Sequence, residues 1–184
     1  MKKNTALKDK KNMETFINKN SSLLDLKKVT VHTRETNNKG IGVFASRNIP
    51  SGNFVLKMHG DIVDLEKVWD HARFLQVADR LFLGPSGLAD DYVNHSCEPN
   101  CGIINFNDQY ILRSIRHIEM GEEITFDYST WMNNDYWKME CRCGSLNCRK
   151  LILDFGYLNM ALQDRYIEMN IVPQYVLNSL MKRN

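Results

Sequence analysis

Three cysteines within eight residues constrain the fold of this chain more than any other feature. They are Cys141, Cys143 and Cys148. Structural zinc takes four ligands in a tetrahedron and is often held by thiolates, so this spacing predicts a metal site, with Gly144 permitting a tight turn. The fourth ligand must lie elsewhere in the sequence, and Cys97 and Cys101 are both candidates. The alternative is that the thiols are free or buried and lie close together by chance.

Length and composition indicate one globular domain. The 184 residues are 43% hydrophobic and 25% charged, which excludes wholesale disorder. The net charge of +2 does not match a non-specific nucleic-acid-binding protein, so we expect no direct nucleic-acid binding. The five cysteines are an odd number, which argues against a disulfide framework and favours metal binding.

The distribution of apolar residues predicts neither a membrane span nor a secretion signal. No stretch approaches the roughly 20 apolar residues of a span, and the lysine-rich start lacks the apolar middle of a signal peptide. We therefore expect no membrane association and a cytoplasmic location, with export as an effector acting in a host cell as the alternative. Residues 1–27 are expected to form a flexible arm, with a short helix near residues 13–17.

Short strands dominate the predicted secondary structure. Apolar and β-branched runs predict strands at residues 29–33, 41–45, 54–58, 81–83, 103–106 and 109–113, and a further strand after Gly121. Asn107 and Asp108 fit a two-residue hairpin loop.

Helical periodicity is confined to three segments. Leu65, Val68, Trp69 and Ala72 follow helical spacing and predict a helix over residues 64–76, with Asp64 as its N-cap. Two terminal helices are expected near residues 158–166 and 174–182. Without alternating βαβ units, a doubly wound fold is excluded, and the pattern predicts a mainly β fold with a small zinc appendage.

Three further segments carry potential chemistry. Residues 94–101 (NHSCEPNC) place polar, turn-prone and thiol residues between apolar strands. Residues 39–45 contain two glycines, which allow a backbone to approach a ligand closely. Residues 121–128 form a turn followed by a strand that ends at Tyr128. Taken singly, the glycines and the strand are weak indications, and the longer phosphate-binding glycine motifs are absent.

In this order, these segments and the cysteine motif resemble the SET domain of protein lysine methyltransferases, followed by its post-SET zinc segment. Residues 40–45 resemble the family's opening glycine motif, and residues 94–101 match its most specific motif almost letter for letter. Residues 121–128 match the catalytic strand, and residues 141–149 match the post-SET motif. The resemblance covers residues 28–152 and is greatest to small bacterial members.

The resemblance implies a SET (β-clip-like) fold of short strands with a pseudoknot, a post-SET zinc segment and C-terminal helices. It divides the chain into the flexible arm (1–27), a SET domain (28–136), a post-SET zinc segment (137–153) and a C-terminal helical extension (154–184).

The resemblance also implies roles for individual residues. Tyr128 is implied to be catalytic, and Phe126 and Met58 to lie in the substrate channel. The residues implied to hold S-adenosylmethionine are Lys39, Gly40, Ile41, Gly42, Asn94, His95 and Tyr128. The implied zinc ligands are Cys97, Cys141, Cys143 and Cys148, which leaves Cys101 as a core residue.

Two departures from the family pattern bear on the channel. Lys57 and Met58 stand where the family usually has a glutamate–tyrosine pair, just before His59 and Gly60. Asp91 stands where an arginine often precedes the asparagine motif. The missing tyrosine normally helps to shape the lysine channel, so its absence bears on channel geometry and substrate choice, and neither departure removes Tyr128.

The implied activity is transfer of a methyl group from S-adenosylmethionine to a lysine side chain on a protein, either a histone-like tail or a bacterial protein. Phe126 lies two places before Tyr128. Unlike a tyrosine, Phe126 cannot hold a water molecule in the space that a further methyl group needs, so we expect methylation beyond the monomethyl state. The alternative is a catalytically inactive, zinc-stabilised SET-like binding module. A nucleic-acid-binding zinc protein is a weaker third interpretation.

Overall fold

The computed structural model describes residues 31–71, 73–135 and 137–183. The predicted flexible arm and the short helix near residues 13–17 lie outside the described residues. The strands are β1 (Val31–Glu35), β2 (Ile41–Ala45), β3 (Phe54–Lys57), β4 (Ile62–Asp64), β5 (Leu75–Gln76), β6 (Leu81–Leu83), β7 (Asn94–His95), β8 (Cys101–Phe106), β9 (Gln109–Ser114), β10 (Glu123–Phe126), β11 (Met139–Glu140) and β12 (Leu151–Ile152). The α-helices of the described part are α1 (Met160–Glu168) and α2 (Gln174–Arg183).

The strands form four small sheets instead of one large sheet. Their orders are β1-β2-β10-β7, β3-β9-β8, β4-β6-β5 and β11-β12. Every pairing is antiparallel except that of β7 with β10. The mainly β fold with short strands and C-terminal helices is therefore confirmed.

The predicted hairpin joins β8 to β9 through Asn107 and Asp108. These residues have φ values of 49° and 58°, and Phe106 pairs with Gln109. Positive φ at both central positions is the geometry that a two-residue hairpin loop requires, and asparagine and aspartate tolerate it. The register then places Ile103 opposite Leu112 in the main core.

The C-terminal helices pack on the sheet formed by β3, β9 and β8. Phe54 and Ile111 of that sheet share a buried cluster with Tyr166 of α1 and Val176 of α2. Gly102 of β8 allows the close approach, because an added Cβ would lie 2.4 Å from Ile171 Cγ2. The helical extension is thus part of the same folded body as the strands.

The predicted helix over residues 64–76 is wrong. Asp64 does cap a helix, but it is a single 3₁₀ turn from Leu65 to Lys67, and the next strand, β5, begins at Leu75. A short helix needs an apolar face packed against the protein. None of Leu65, Val68 and Trp69 is buried, so that support is missing here.

The parallel pairing of β7 with β10 brings two distant segments side by side. Asn94 lies opposite Thr125 and His95 opposite Phe126, and the Ser96 N–H donates to the Phe126 carbonyl at 3.1 Å. This crossing lies where the family resemblance implies a pseudoknot, and it places β7 directly beside Tyr128. No helix in the described part of the chain has the length and apolar character needed to cross a membrane.

Candidate active site and metal centre

Four cysteines come together at the C-terminal end of the fold. Their sulfur atoms all lie within 4.8 Å of one another, and they belong to Cys97, Cys141, Cys143 and Cys148. The predicted distant ligand is therefore Cys97, which the loop after β7 contributes. Cys101 is fully buried in the main core and is not part of this cluster.

The chemistry of this donor set fits zinc. Zn–S bonds of about 2.3 Å in a tetrahedron give sulfur–sulfur separations of about 3.8 Å, and Cys97 Sγ lies 3.7 Å from Cys141 Sγ. Backbone N–H groups of Arg149 and Cys143 donate to these two sulfurs at 3.3 and 3.5 Å. Without a metal, burial raises the pKa of Cys97 to about 11, so a bound cation would have to displace its proton.

Asn94 anchors one wall of the predicted cofactor site. Its Nδ2 donates to the Ile41 carbonyl at 3.0 Å and to Glu123 Oε1 at 2.9 Å. Glu123 Oε2 also lies 2.5 Å from Lys39 Nζ. The Asn94 contacts therefore connect β2, β7 and β10 at one point. A side chain at Gly42 would disturb this junction, because an added Cβ would lie 2.7 Å from Glu123 Oε1 and 3.1 Å from Asn94 Nδ2.

A cleft opens beside this wall. Of the seven residues predicted to hold S-adenosylmethionine, six line it: Lys39, Gly40, Ile41, Asn94, His95 and Tyr128. Gly42 lies just behind them against Asn94 and Glu123. The structure thus brings the predicted cofactor residues together, and their role remains a prediction.

A second cavity lies on the other side of Tyr128. Its walls include the predicted channel residues Met58 and Phe126, together with Trp131 and Met132. Tyr128, Arg73 and Asp91 line both this cavity and the cleft, so the two adjoin at these residues. A group entering from the cavity and one bound in the cleft would meet at this tyrosine.

The Tyr128 hydroxyl is held as a hydrogen-bond donor. It donates to the Val93 carbonyl at 2.9 Å, and its ring packs 4.8 Å from that of Phe126. Burial raises the pKa of Tyr128 well above its usual range, and the charge of Glu123 raises it further. The hydroxyl therefore stays protonated and can orient a neighbouring group, but it is a poor base.

His95 links the cleft to the cysteine cluster. Its Nδ1 accepts the Tyr128 N–H at 3.2 Å, and its Nε2 lies 3.3 Å from Cys97 Sγ. Burial lowers the pKa of His95 to about 4, despite the opposing charge of Asp127. The ring is therefore neutral near pH 7, with its proton on Nε2 facing the sulfur.

A buried ion pair lies at the end of β10, and sequence reasoning gave it no role. Both Asp127 oxygens accept from the Arg149 guanidinium at 2.7 Å, and Tyr166 of α1 donates to Asp127 Oδ2 at 3.0 Å. Asp127 also accepts the Ser129 N–H at 3.1 Å. The positions of Asp127 before Tyr128 and Arg149 after Cys148 were visible in the sequence, but their pairing depends on the fold.

The comparisons with known proteins agree with this geometry. Residues 40–129 match the model of the SET domain family. The chain contains a SET domain. Human histone-lysine N-methyltransferase 2D is 29% identical over 143 residues, which cover 67% of this chain and 2% of that protein. Drosophila melanogaster histone-lysine N-methyltransferase ash1 is 31% identical over 133 residues, covering 64% of this chain and 6% of that protein.

Solved structures share the SET fold. Arabidopsis thaliana SUVH6 in complex with SAM has a TM-score of 0.61 and 18% identity, covering 68% of this chain and 33% of that chain. KRYPTONITE in complex with mCHH DNA, an H3(1-15) peptide and SAH has a TM-score of 0.56 and 22% identity, covering 68% of this chain and 30% of that chain. This SET-domain chain therefore spans a small part of the larger proteins that it resembles.

Proposed function

We propose that this SET-domain protein is a protein-lysine N-methyltransferase that uses S-adenosylmethionine. The observation that carries the proposal is the meeting of two cavities at Tyr128, one lined by the predicted cofactor residues and the other largely apolar. The family match, the histone-lysine methyltransferase names of the relatives and the SAM and SAH complexes of the structural neighbours support it.

In this proposal the cleft holds the methyl donor. The Gly40 and Ile41 backbone and the Asn94 side chain face it, and Gly42 keeps that wall free of a side chain. S-adenosylmethionine supplies a methyl group on a positively charged sulfur. The protein's task is to hold that group and an amine in line at about 3 Å, because alignment alone can contribute a large part of the rate.

The second cavity takes the lysine side chain. Met58, Phe126 and Trp131 provide an apolar lining. Burial against these apolar side chains penalises the charged ammonium, whereas the carboxylates of Asp90 and Asp91 in the same cavity favour it. The Tyr128 hydroxyl, already held as a donor at the junction, orients the amine for in-line attack.

We also propose that the enzyme adds more than one methyl group. Phe126 is 6% exposed and packs against Tyr128, and it has no hydroxyl to hold a water in the space a further methyl would occupy. Phe126→Tyr should shift the products towards the mono- and dimethyl forms, measured by mass spectrometry over a time course. Strict monomethylation by the wild type, unchanged in the variant, would contradict this.

The substrate class is a protein that presents a lysine, either a histone-like tail or a bacterial protein. The names of the relatives favour the histone-like tail. The cytoplasmic location, its effector alternative and the expected lack of direct nucleic-acid binding stay predictions.

The test is transfer of radiolabelled methyl groups from S-adenosylmethionine to a fractionated proteome, followed by mass mapping of the modified residue. Label on lysine that forms about 10²-fold more slowly with Tyr128→Phe supports the proposal. Label on another residue type, or label that forms at an undiminished rate in the variant, counts against it.

Met58 in place of the usual tyrosine favours a second candidate, a zinc-stabilised binding module without catalysis. The two candidates differ in one measurable respect. An inactive module would bind S-adenosylmethionine or lysine peptides but would label no protein pool under any condition tested.

A further inference from the structure

A histidine–carboxylate pair lines the proposed lysine channel beside Met58. His59 Nδ1 lies 3.4 Å from Asp90 Oδ1, and the His59 backbone N–H donates to Asp90 Oδ2 at 2.6 Å. The Asp90 side chain is 4% exposed, whereas that of His59 is 44% exposed. Both residues line the cavity that contains Phe126 and Tyr128.

The proposed reaction includes a proton transfer from the substrate amine, and the channel offers several groups that could accept the proton. A lysine ammonium has no lone pair, so it must lose a proton before its nitrogen can attack a methyl group. Each further methyl transfer needs the same step, because every attack regenerates an ammonium. The Tyr128 hydroxyl cannot accept this proton, because burial keeps it protonated and it already donates to the Val93 carbonyl.

The other ionisable groups lining the channel are less suited. Asp91 accepts the backbone N–H groups of Ser86 and Gly87 at 2.8 and 2.6 Å, and also the Ser86 hydroxyl. Arg73 is a permanent cation. Burial lowers the pKa of His71, whose ring packs edge-on against Phe82 at 5.4 Å.

We propose that His59, positioned by Asp90, accepts the proton that the substrate ammonium releases. The inference rests on the proposed function. The ammonium N–H bond breaks, nitrogen keeps the electron pair, and the proton joins the imidazole of His59. The nitrogen then bonds to the methyl carbon as the carbon–sulfur bond breaks. The half-exposed imidazolium returns its proton to water.

Asp90 is the positioning residue of this pair. With Nδ1 facing the carboxylate, Nε2 is the nitrogen left to take the proton. The Asp90 carboxylate is buried in the channel wall and lies directly beside the ring that takes up the proton. Ser86 Oγ lies 3.1 Å from Asp90 Oδ1 and 3.2 Å from Asp91 Oδ1, so its single proton is shared between the two carboxylates.

The test is single-turnover methyl transfer to a lysine peptide by the full chain at saturating S-adenosylmethionine, from pH 6 to pH 10. His59→Gln should slow transfer about 10²-fold near pH 7, the low end of what a positioned acid–base group contributes. The deficit should shrink towards pH 10, where the substrate amine, with an ordinary pKa of about 10.4, deprotonates unaided. Asp90→Asn should give a smaller deficit of the same shape.

His117→Gln is the matched control, because His117 also faces a carboxylate, Glu119 at 3.2 Å, but lies outside the channel. Calorimetric affinities for S-adenosylmethionine and peptide should stay unchanged in His59→Gln. Added imidazole should restore transfer by His59→Ala.

Three outcomes would overturn the inference. The first is a rate deficit in His59→Gln that is equal at every pH. The second is a rate in His59→Gln that matches the rate in His117→Gln. The third is a failure of added imidazole to restore transfer by His59→Ala. With an active wild type, each of these overturns the inference alone. A wild type that methylates no lysine overturns the proposed function as well.

Discussion

Removing Arg149 should destabilise this protein far more than removing a surface arginine. Arg149→Met keeps much of the apolar stem but leaves the Asp127 carboxylate, with no exposed side-chain surface, without its cation. Among the described residues, the Tyr166 hydroxyl and the Ser129 N–H would still donate to it. Breaking a buried pair from one side costs about 3–5 kcal/mol. For a chain of this size, each kcal/mol of lost stability lowers the midpoint of thermal unfolding by about 2–4 °C, so that midpoint should fall by about 6–20 °C.

The assay is urea and thermal unfolding at a fixed zinc concentration, since a bound metal adds to apparent stability. Arg80→Met is the control, because Arg80 lies 2.9 Å from Asp64 but is 56% exposed, and such pairs contribute about 0–1 kcal/mol. Adding Asp127→Asn to Arg149→Met should recover part of the loss, because no uncompensated charge then remains buried. A loss in Arg149→Met no larger than that in Arg80→Met would refute the reasoning.

Three other predictions concern the metal and the cleft. Metal analysis should find about one zinc per chain. The zinc content should be unchanged in Cys101→Ser, whose thiol lies outside the cluster, and lost in Cys148→Ser. A zinc content near zero in the wild type would contradict this. Tyr128→Phe should lower kcat about 10²-fold with little change in cofactor affinity, because its hydroxyl acts mainly in the transition state; full activity would exclude that role. Asn94→Ala should weaken S-adenosylmethionine binding about tenfold by calorimetry, because the amide fixes Ile41 and Glu123.

Local patterns predicted the strands well where turn chemistry and apolar runs agreed. The β8–β9 hairpin followed from Asn107 and Asp108 between two apolar runs, and the structure has the expected positive φ values there. The helix over residues 64–76 failed because spacing alone cannot say whether an apolar stripe finds a partner. Trp69 instead lies 67% exposed, edge-on against Phe74.

The candidate site was predictable as a set of motifs but not as a network. Spacing alone left Cys97 and Cys101 both open as the fourth ligand, and the family resemblance named Cys97 and Tyr128, whose segments the fold brings together. The Asp127–Arg149–Tyr166 contacts join residues 22 and 39 positions apart, and no local pattern encodes such separations. The His59–Asp90 pair was hidden for the same reason, since β4, β5 and β6 lie between its members.

The metal centre and the active site share one hydrogen-bonded path, so losing the metal should affect catalysis before the chain unfolds. His95 can accept the Tyr128 N–H at Nδ1 only while its proton is on Nε2, and that proton faces Cys97 Sγ at 3.3 Å. A metal-bound thiolate is a stronger acceptor than a thiol, so zinc would fix this tautomer and ring orientation. Without it, Cys97 becomes a buried thiol whose own proton competes for the same space. The backbone of Tyr128 would then lose the partner that sets its position between the two cavities.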